Sequence, residues 1–185
     1  MQPPLNRTLD HAAGSARLDL AAADSRGLDT ETGLHTRAHL QADLARLDGH
    51  PARLELLALQ REDGVDDALL SGTEADLPQQ LGQALDAASK PLGARAYRLD
   101  LTLYAFLGPI EEGALTAAQS SQRALGSISE QLASGAVLGE AGIPDEAPDG
   151  IAALALAHER LRARSRRQHT SSCLLYTSPS PRDRS

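Results

Sequence analysis

Residues 93 to 109 read GARAYRLDLTLYAFLGP, and this stretch decides how the rest of the chain is arranged. Tyr97, Leu99, Leu101 and Leu103 alternate with Arg98, Asp100, Thr102 and Tyr104. Side chains along a strand point to opposite faces in turn, so a period of two predicts extended structure. The run is long enough for two short strands, although no Asn-Gly or Asp-Gly dipeptide marks a turn between them.

The flanking segments carry other periods. Upstream, RLELLALQ (53–60) is a short, nearly continuous apolar run of the length of a buried strand, with its Leu and Ala content leaving a helix open. Leu34, Leu40, Leu44 and Leu47 predict a helix stopped by Gly49 and Pro51. Leu77, Leu81, Leu85 and Ala88 predict another, with Pro78 in its first turn, where proline is tolerated. Between strand and helix, residues 61–76 are acidic and punctuated by glycine, as in a loop. Downstream, Leu115, Ala118, Ser121, Leu125, Ile128 and Leu132 predict one helix. ASGAVLG (133–139) then reads as a short strand, EAGIPDEAPDG (140–150) as a loop, and IAALALAHERLRARSRR (151–167) as a closing helix. At the front, Leu5, Leu9, Ala13, Ala16 and Leu20 give a lead helix ending near Gly27, its apolar stripe narrow enough to need a partner. Strands interleaved with helices imply a mixed sheet covered by helices.

Composition narrows the functions. Hydrophobic residues make up 41% of the 185 residues but aromatics only 2%, so the core is aliphatic. Few rings argue against base-stacking nucleic-acid modules. A net charge of −7 disfavours non-specific binding to nucleic acid or anionic membrane. The basic residues are arginines apart from Lys90, and this Arg, Ala and Leu bias reads as codon usage. No apolar run reaches the roughly 18 residues of a membrane span. MQPPLNRTLDHAAG lacks the charged start and apolar run of a signal peptide, so the expected location is the cytoplasm. Cys173 is the single cysteine. It opens a stretch, Cys173–Asp183, that resembles a translated sequencing adapter of the kind read through in metagenomic fragments. Apart from that tail the chain has no thiol for a metal site, disulfide or nucleophile. These shifts divide it into a helical lead segment (1–28), a domain (29–168) and a disordered tail (169–185).

Several separated phrases resemble one family. DTETGLHTR, from Asp29, resembles the "D-x-L-T-G-L-x-N-R" opening of GGDEF domains, the diguanylate cyclases of bacterial signalling. Asp29, Thr32, Gly33, Leu34 and Arg37 match, while Glu31 and Thr36 depart. RLELLALQRE lies where that family has its first strand. AYRLDLTLYAFLGP resembles the "R-L-G-G-D-E-F" hairpin, with Arg98, Leu99 and Pro109 in place. ASGAVL resembles "S-I-G-V-A", and ALALAHERLRARSRR resembles the closing helix "L-x-x-A-D-x-x-L-Y-x-A-K". The likeness spans residues 29–168 in the right order. It implies an α+β, ferredoxin-like nucleotidyl-cyclase-type domain, its mostly antiparallel sheet covered by helices and preceded by a lead helix.

The same resemblance locates the chemistry and finds it altered. Family members join two GTP molecules by phosphoryl transfer, which relies on positioning and on divalent cations held by carboxylates. The metal aspartate ending the first strand corresponds to Gln60, with Glu62 at the next acidic position. Gly-Gly-Asp-Glu-Phe corresponds to Asp100, Leu101, Thr102, Leu103 and Tyr104, so two glycines and the acidic pair are replaced and only the aromatic is kept in kind. The phosphate-binding lysine of the closing helix corresponds to Ser165. The inhibitory product motif "R-x-x-D" would fall on Pro91 and Ala94. Asp76 matches a guanine-contacting aspartate but reads equally as a helix N-cap.

Other candidates carry plainer readings. His35 and His39 stand at i and i+4, a spacing that can place two imidazoles on one helical face, but no third ligand accompanies them. His158 reads as a surface residue. Arg160, Arg164 and Arg167 line one face of the closing helix and read as a solvated face that complements the helix dipole. Glu62, Asp63, Asp66 and Asp67 lack the ligand spacing of a calcium loop. The expectation is a catalytically inactive GGDEF-like signalling module with no catalytic residues, metal or cofactor. It would act through a protein partner or a homodimer formed by the lead helix, with no nucleic acid and no membrane. The alternatives are a GTP-binding sensor using Glu62 and Asp76, and an active cyclase with Mg²⁺, GTP and a substituted metal site.

Overall fold

The computed structural model describes residues 27–60, 76–111, 113 and 115–174, the last six of these as helix backbone. The expected lead helix, Glu62 and its acidic neighbours, and the chain after 174 lie outside the described residues. In chain order the elements are β1 (His35–Thr36), α1 (Arg37–Ala45), β2 (Ala52–Leu59), α2 (Leu77–Ser89), a 3-10 turn at Lys90–Leu92, β3 (Arg95–Asp100) and β4 (Leu103–Gly108). There follow α3 (Ala117–Leu125), α4 (Glu130–Ser134), β5 (Ala136–Ile143) and α5 (Gly150–Leu174). The strands form one five-stranded sheet in the order β1-β3-β4-β2-β5. β1 runs parallel to β3, and the other neighbours are antiparallel. The architecture is α+β with helices on both faces of the sheet, as the interleaved pattern implied.

Each face has its own aliphatic layer. On one, Leu40 and Leu44 of α1 and Ala153, Ala157 and Leu161 of α5 pack over Leu54, Leu56, Tyr97, Ala105 and Val137. On the other, Leu81 and Leu85 of α2, Leu125 of α3 and Leu132 of α4 pack over Leu57, Leu59, Ala96, Tyr104 and Phe106. This double covering explains why RLELLALQ is almost continuously apolar: a strand wet on one face would alternate. The alternating stretch 93–109 is extended as expected, and it too is covered on both faces: Tyr97 and Tyr104 are buried on opposite sides of the sheet.

Two close approaches set the layers. A Cβ at Gly139 of β5 would overlap the Ala157 carbonyl oxygen, so its absence lets α5 lie flat on the strand. A Cβ at Gly82 of α2 would overlap the carbonyl oxygen of Thr32, so α2 rests directly on the loop before β1.

Several expected boundaries move. The helix placed at 115–132 is two helices: α3 ends at Leu125, and residues 126–129 turn before α4. Ser127 Oγ donates to the Ala124 carbonyl at 2.6 Å, capping the last turn of α3. Leu115 lies before α3 and is 42% exposed. A capping box opens that helix, Gln119 N donating to Thr116 Oγ1 at 3.3 Å and Thr116 N to Gln119 Oε1 at 3.2 Å. Such a cap is worth about 1 kcal/mol, less than the roughly 2 kcal/mol of one buried leucine such as Leu125, so packing holds α3 and the cap fixes where it starts. β5 runs on to Ile143, through residues expected to be loop, because every position from 136 to 143 has a partner on β2. α1 begins at Arg37, after Leu34, and α5 continues to Leu174, past residue 168.

The hairpin forms without glycine. Among described non-glycine residues only Asp48 has a positive φ, so the turn between β3 and β4 uses conformations open to any L-residue. Asp100 Oδ1 accepts from Leu101 N at 2.8 Å, and the Tyr104 hydroxyl donates to the Leu101 carbonyl at 3.3 Å. A register shift between Arg98 and Asp100 takes up the difference.

Candidate functional site

Three segments meet where β2 ends. Leu59 N donates to the Thr102 carbonyl at 2.9 Å, tying the strand to the hairpin tip. Gln60 N donates to the Gly135 carbonyl at 3.0 Å, tying it to the start of β5. Gln60 Nε2 then donates to Ser165 Oγ of α5 at 3.3 Å, across 105 residues of sequence. The two positions that the resemblance assigned to a metal aspartate and a phosphate-binding lysine are therefore in contact, as a neutral amide–hydroxyl pair. Hard divalent cations want carboxylate oxygens. An amide, a hydroxyl and the threonine and leucine of the hairpin tip offer no negative charge. The described donor set does not fit a magnesium–nucleotide complex.

The remaining expected positions are distributed as follows. Asp100 is exposed, while Leu101, Thr102 and Leu103 are half-buried. Tyr104 is 1% exposed, and burial pushes its phenol up to about 12, so it is a packing residue with one hydrogen bond at the tip. Asp76 stands at the N-cap of α2, but the capping bond expected of it is absent. Its backbone is already αR (φ −94°, ψ −6°), and a capping side chain needs extended backbone to reach the amides one turn on.

The outer side of the hairpin, along β3, is densely charged. Asp29 Oδ1 accepts from Thr32 N at 2.9 Å and from Thr32 Oγ1 at 2.7 Å, closing the loop of the DTETG phrase. Arg98 Nη1 of β3 donates to the same Asp29 oxygen at 2.7 Å and to Glu31 Oε2 at 2.6 Å. Arg37 Nη2 donates to the Leu99 carbonyl at 3.0 Å, a second tie from the same phrase to β3. Partial burial raises the Asp29 carboxyl, but the Thr32 hydrogen bonds and the Arg98 guanidinium outweigh it and hold the group below its usual range. Asp29, Thr32, Arg37 and Arg98, quoted above as matches to a family phrase, thus converge in space.

Sequence reasoning missed two buried acids, Asp43 and Glu55. Asp43 of α1 accepts from the Tyr97 hydroxyl at 2.7 Å and from Arg95 Nη1 at 3.0 Å. Burial, then the Asp43 carboxylate, raises the Tyr97 phenol further than that of Tyr104. Glu55 of β2 accepts from Ala118 N at the start of α3 at 3.0 Å, and burial raises its carboxyl despite bonds from Thr116 and Ala118. A signal existed for both: each is an acid set among leucines, three residues after Leu40 and directly after Leu54.

The histidines and arginines also differ from expectation. His35 lies in β1 and His39 in α1, so they do not share a helical face, although their rings meet edge to face at 5.5 Å. Burial, then Arg95 and His39, lowers the His35 imidazole. His158 is half-buried rather than a surface residue, and burial, then Arg162 and Arg37, lowers it too. The face of Arg160, Arg164 and Arg167 is open to solvent as expected, but Arg160 and Arg164 also reach across to backbone carbonyls of β5.

No family model matches the sequence, and no curated protein is detectably similar to it. Solved structures are similar in shape. The FimX GGDEF domain of Pseudomonas aeruginosa aligns at a TM-score of 0.56 and 20% identity, over 76% of this chain and 94% of that one. The chain has the GGDEF-type fold. A structure of the coiled coil and GGDEF domain of DgcB from Caulobacter crescentus, in complex with c-di-GMP, aligns at 0.58 and 17% identity, over 76% and 81% of the two chains. The GGDEF domain of PA1120 (TpbB or YfiN) from P. aeruginosa aligns at 0.60 and 19%, over 76% and 89%. Within this GGDEF-type fold, β3 and β4 are the hairpin that carries Asp100–Tyr104, and no described helix is long and apolar enough to cross a membrane.

Proposed function

We propose that this chain is a catalytically inactive GGDEF-type signalling module, working in the cytoplasm through protein contacts. The observation that carries the reading is the hydrogen bond between Gln60 and Ser165. Phosphoryl transfer depends on neutralising charge on the phosphates, and here the end of β2 and the facing turn of α5 present an amide and a hydroxyl joined to each other. The hairpin tip adds Thr102 and Leu103 where the family resemblance calls for acids. The solved coiled coil and GGDEF domain of DgcB is a precedent for a helical segment ahead of this fold. Residues 1–28, with leucines at helical spacing, are the segment through which this chain would pair with a partner or with a second copy. Residues 29–168 form the module itself.

The test is calorimetric titration of GTP with Mg²⁺ into the full chain, followed by a search for cyclic dinucleotide product. The expected result is no heat of binding at millimolar GTP and no product. Micromolar binding without product would replace this reading with a GTP sensor using Glu62 and Asp76. Product formation would overturn inactivity, and Gln60→Asp should then raise the rate.

A further inference from the structure

β5 is the outermost strand beyond β2, and it is as long as β2. At the opposite edge, β1 has two residues. An edge strand as long and apolar as AVLGEAGI presents a row of outward amides and carbonyls on which another strand can form. In an antiparallel pair, alternate residues turn both backbone groups away from the partner. Leu138, Glu140 and Gly142 are the residues of β5 that do so.

Their carbonyls, and the Gly142 amide, are taken by the chain's own residues. Arg164 Nη1 donates to the Leu138 carbonyl at 2.9 Å, and Arg160 Nη1 donates to the Glu140 carbonyl at 2.8 Å. The Gly142 carbonyl accepts from Glu146 N and Ala147 N, both at 3.1 Å, and Gly142 N donates to Glu146 Oε2 at 2.8 Å. Glu146 also holds Arg160 in place through two further bonds, Nη1 to Oε2 at 2.9 Å and Nη2 to Oε1 at 2.6 Å. Arg164 Nη2 lies 3.8 Å from Glu140 Oε1. Geometry makes the match: one turn of α5 advances about 6 Å from Arg160 to Arg164, and two residues of a strand span about 6.7 Å. The helix runs from 160 to 164 as the strand runs from 140 back to 138, so each guanidinium meets a successive outward carbonyl.

We infer that Arg160 and Arg164 are an edge lock, which keeps a second copy of this chain from extending the sheet through β5. The occupant excluded is a second copy because two β5 edges brought together about a two-fold axis would pair antiparallel, a self-complementary arrangement that needs no new surface. The lock stands whether or not the nucleotide site is active, since none of its residues lies at Gln60, Ser165 or the hairpin tip.

Arg160→Ala combined with Arg164→Ala tests it, with mass read by light scattering after size exclusion and helix content by circular dichroism. The expected result is a mass at least twice that of the unaltered chain at equal concentration. Adding Glu140→Pro should then restore the original mass, because proline removes an outward amide without costing β5 a bond to β2. An unchanged mass in the folded double variant overturns the lock, and so does an increase that Glu140→Pro leaves standing. Should the double variant fail to fold, Glu146→Ala decides instead. It releases Arg160 and leaves the helix composition intact, and an unchanged mass there overturns the lock as well.

Discussion

The two sides of the β3–β4 hairpin are built on opposite principles. On the outer, β3 side, close to the turn, an aspartate, a glutamate, a threonine and an arginine share one set of charge-assisted bonds, with Arg98 11% and Asp29 24% exposed. On the inner side, facing β2, the contacts at the tip are a backbone bond from Leu59 to Thr102 and one neutral bond from Gln60 to Ser165. The first side ties the DTETG loop to the sheet and so contributes to the fold itself. The second can lose its charge without unfolding anything, because the strands there are already held by the ladder and by Leu57 and Leu59 beneath it. A phrase that builds the scaffold and a phrase that does chemistry can therefore part company within one hairpin.

The sharpest way to break this contrast is Arg98→Ala. It leaves Asp29 and Glu31 without their cation, and breaking a buried pair costs 3–5 kcal/mol. Partial exposure brings the expected loss to about 2 kcal/mol by urea unfolding. A change under about 0.5 kcal/mol would show that the clasp does not hold the fold. Acid titration gives a smaller and more specific effect. Asp29 is held below its ordinary value of 3.8, so its contribution is present above that value and is lost as the pH falls through the lower, folded one. Asp29→Asn should flatten the stability curve in that window and nowhere else. A parent curve already flat there would remove the ionic account of the clasp. The smallest expected effect is at the tip: Gln60→Ala should cost about 0.5–1 kcal/mol, the worth of one neutral bond, equally at every pH. A pH-dependent or much larger loss would mean that the tip hides an ionised partner, and that the contrast between the two sides is false.

What was legible in the sequence was what depends on local spacing. α2, the β3–β4 hairpin and α5 follow from apolar periodicity, since a strand or helix reports its own period, while β2 was read from the length of its apolar run, which left a helix open. β5 was cut short because Gly139, Gly142 and small neighbours carry little strand signal, and its eight residues are fixed by pairing with β2. The turn after Leu125 was overlooked because Ile128 and Leu132 keep the helical spacing across it. Among site residues, Asp29 and Arg98 were quoted as separate matches, but their contact spans 69 residues and no spacing rule reaches that far. The bonds of Arg160 and Arg164 to β5 were missed because a helix's sequence says nothing about the strand edge lying beneath it.

Gly82 has a mechanical consequence. Because α2 touches the Thr32 carbonyl backbone to backbone, no flexible side chain cushions the joint. Close-packed contacts of this kind are nearly incompressible, so a push delivered to the loop at residues 29–33 passes to α2 as displacement rather than being absorbed in rotamer changes. The joint between that loop and α2 is thus a rigid bearing, and a bulkier residue at position 82 would change its clearance before it changed anything else.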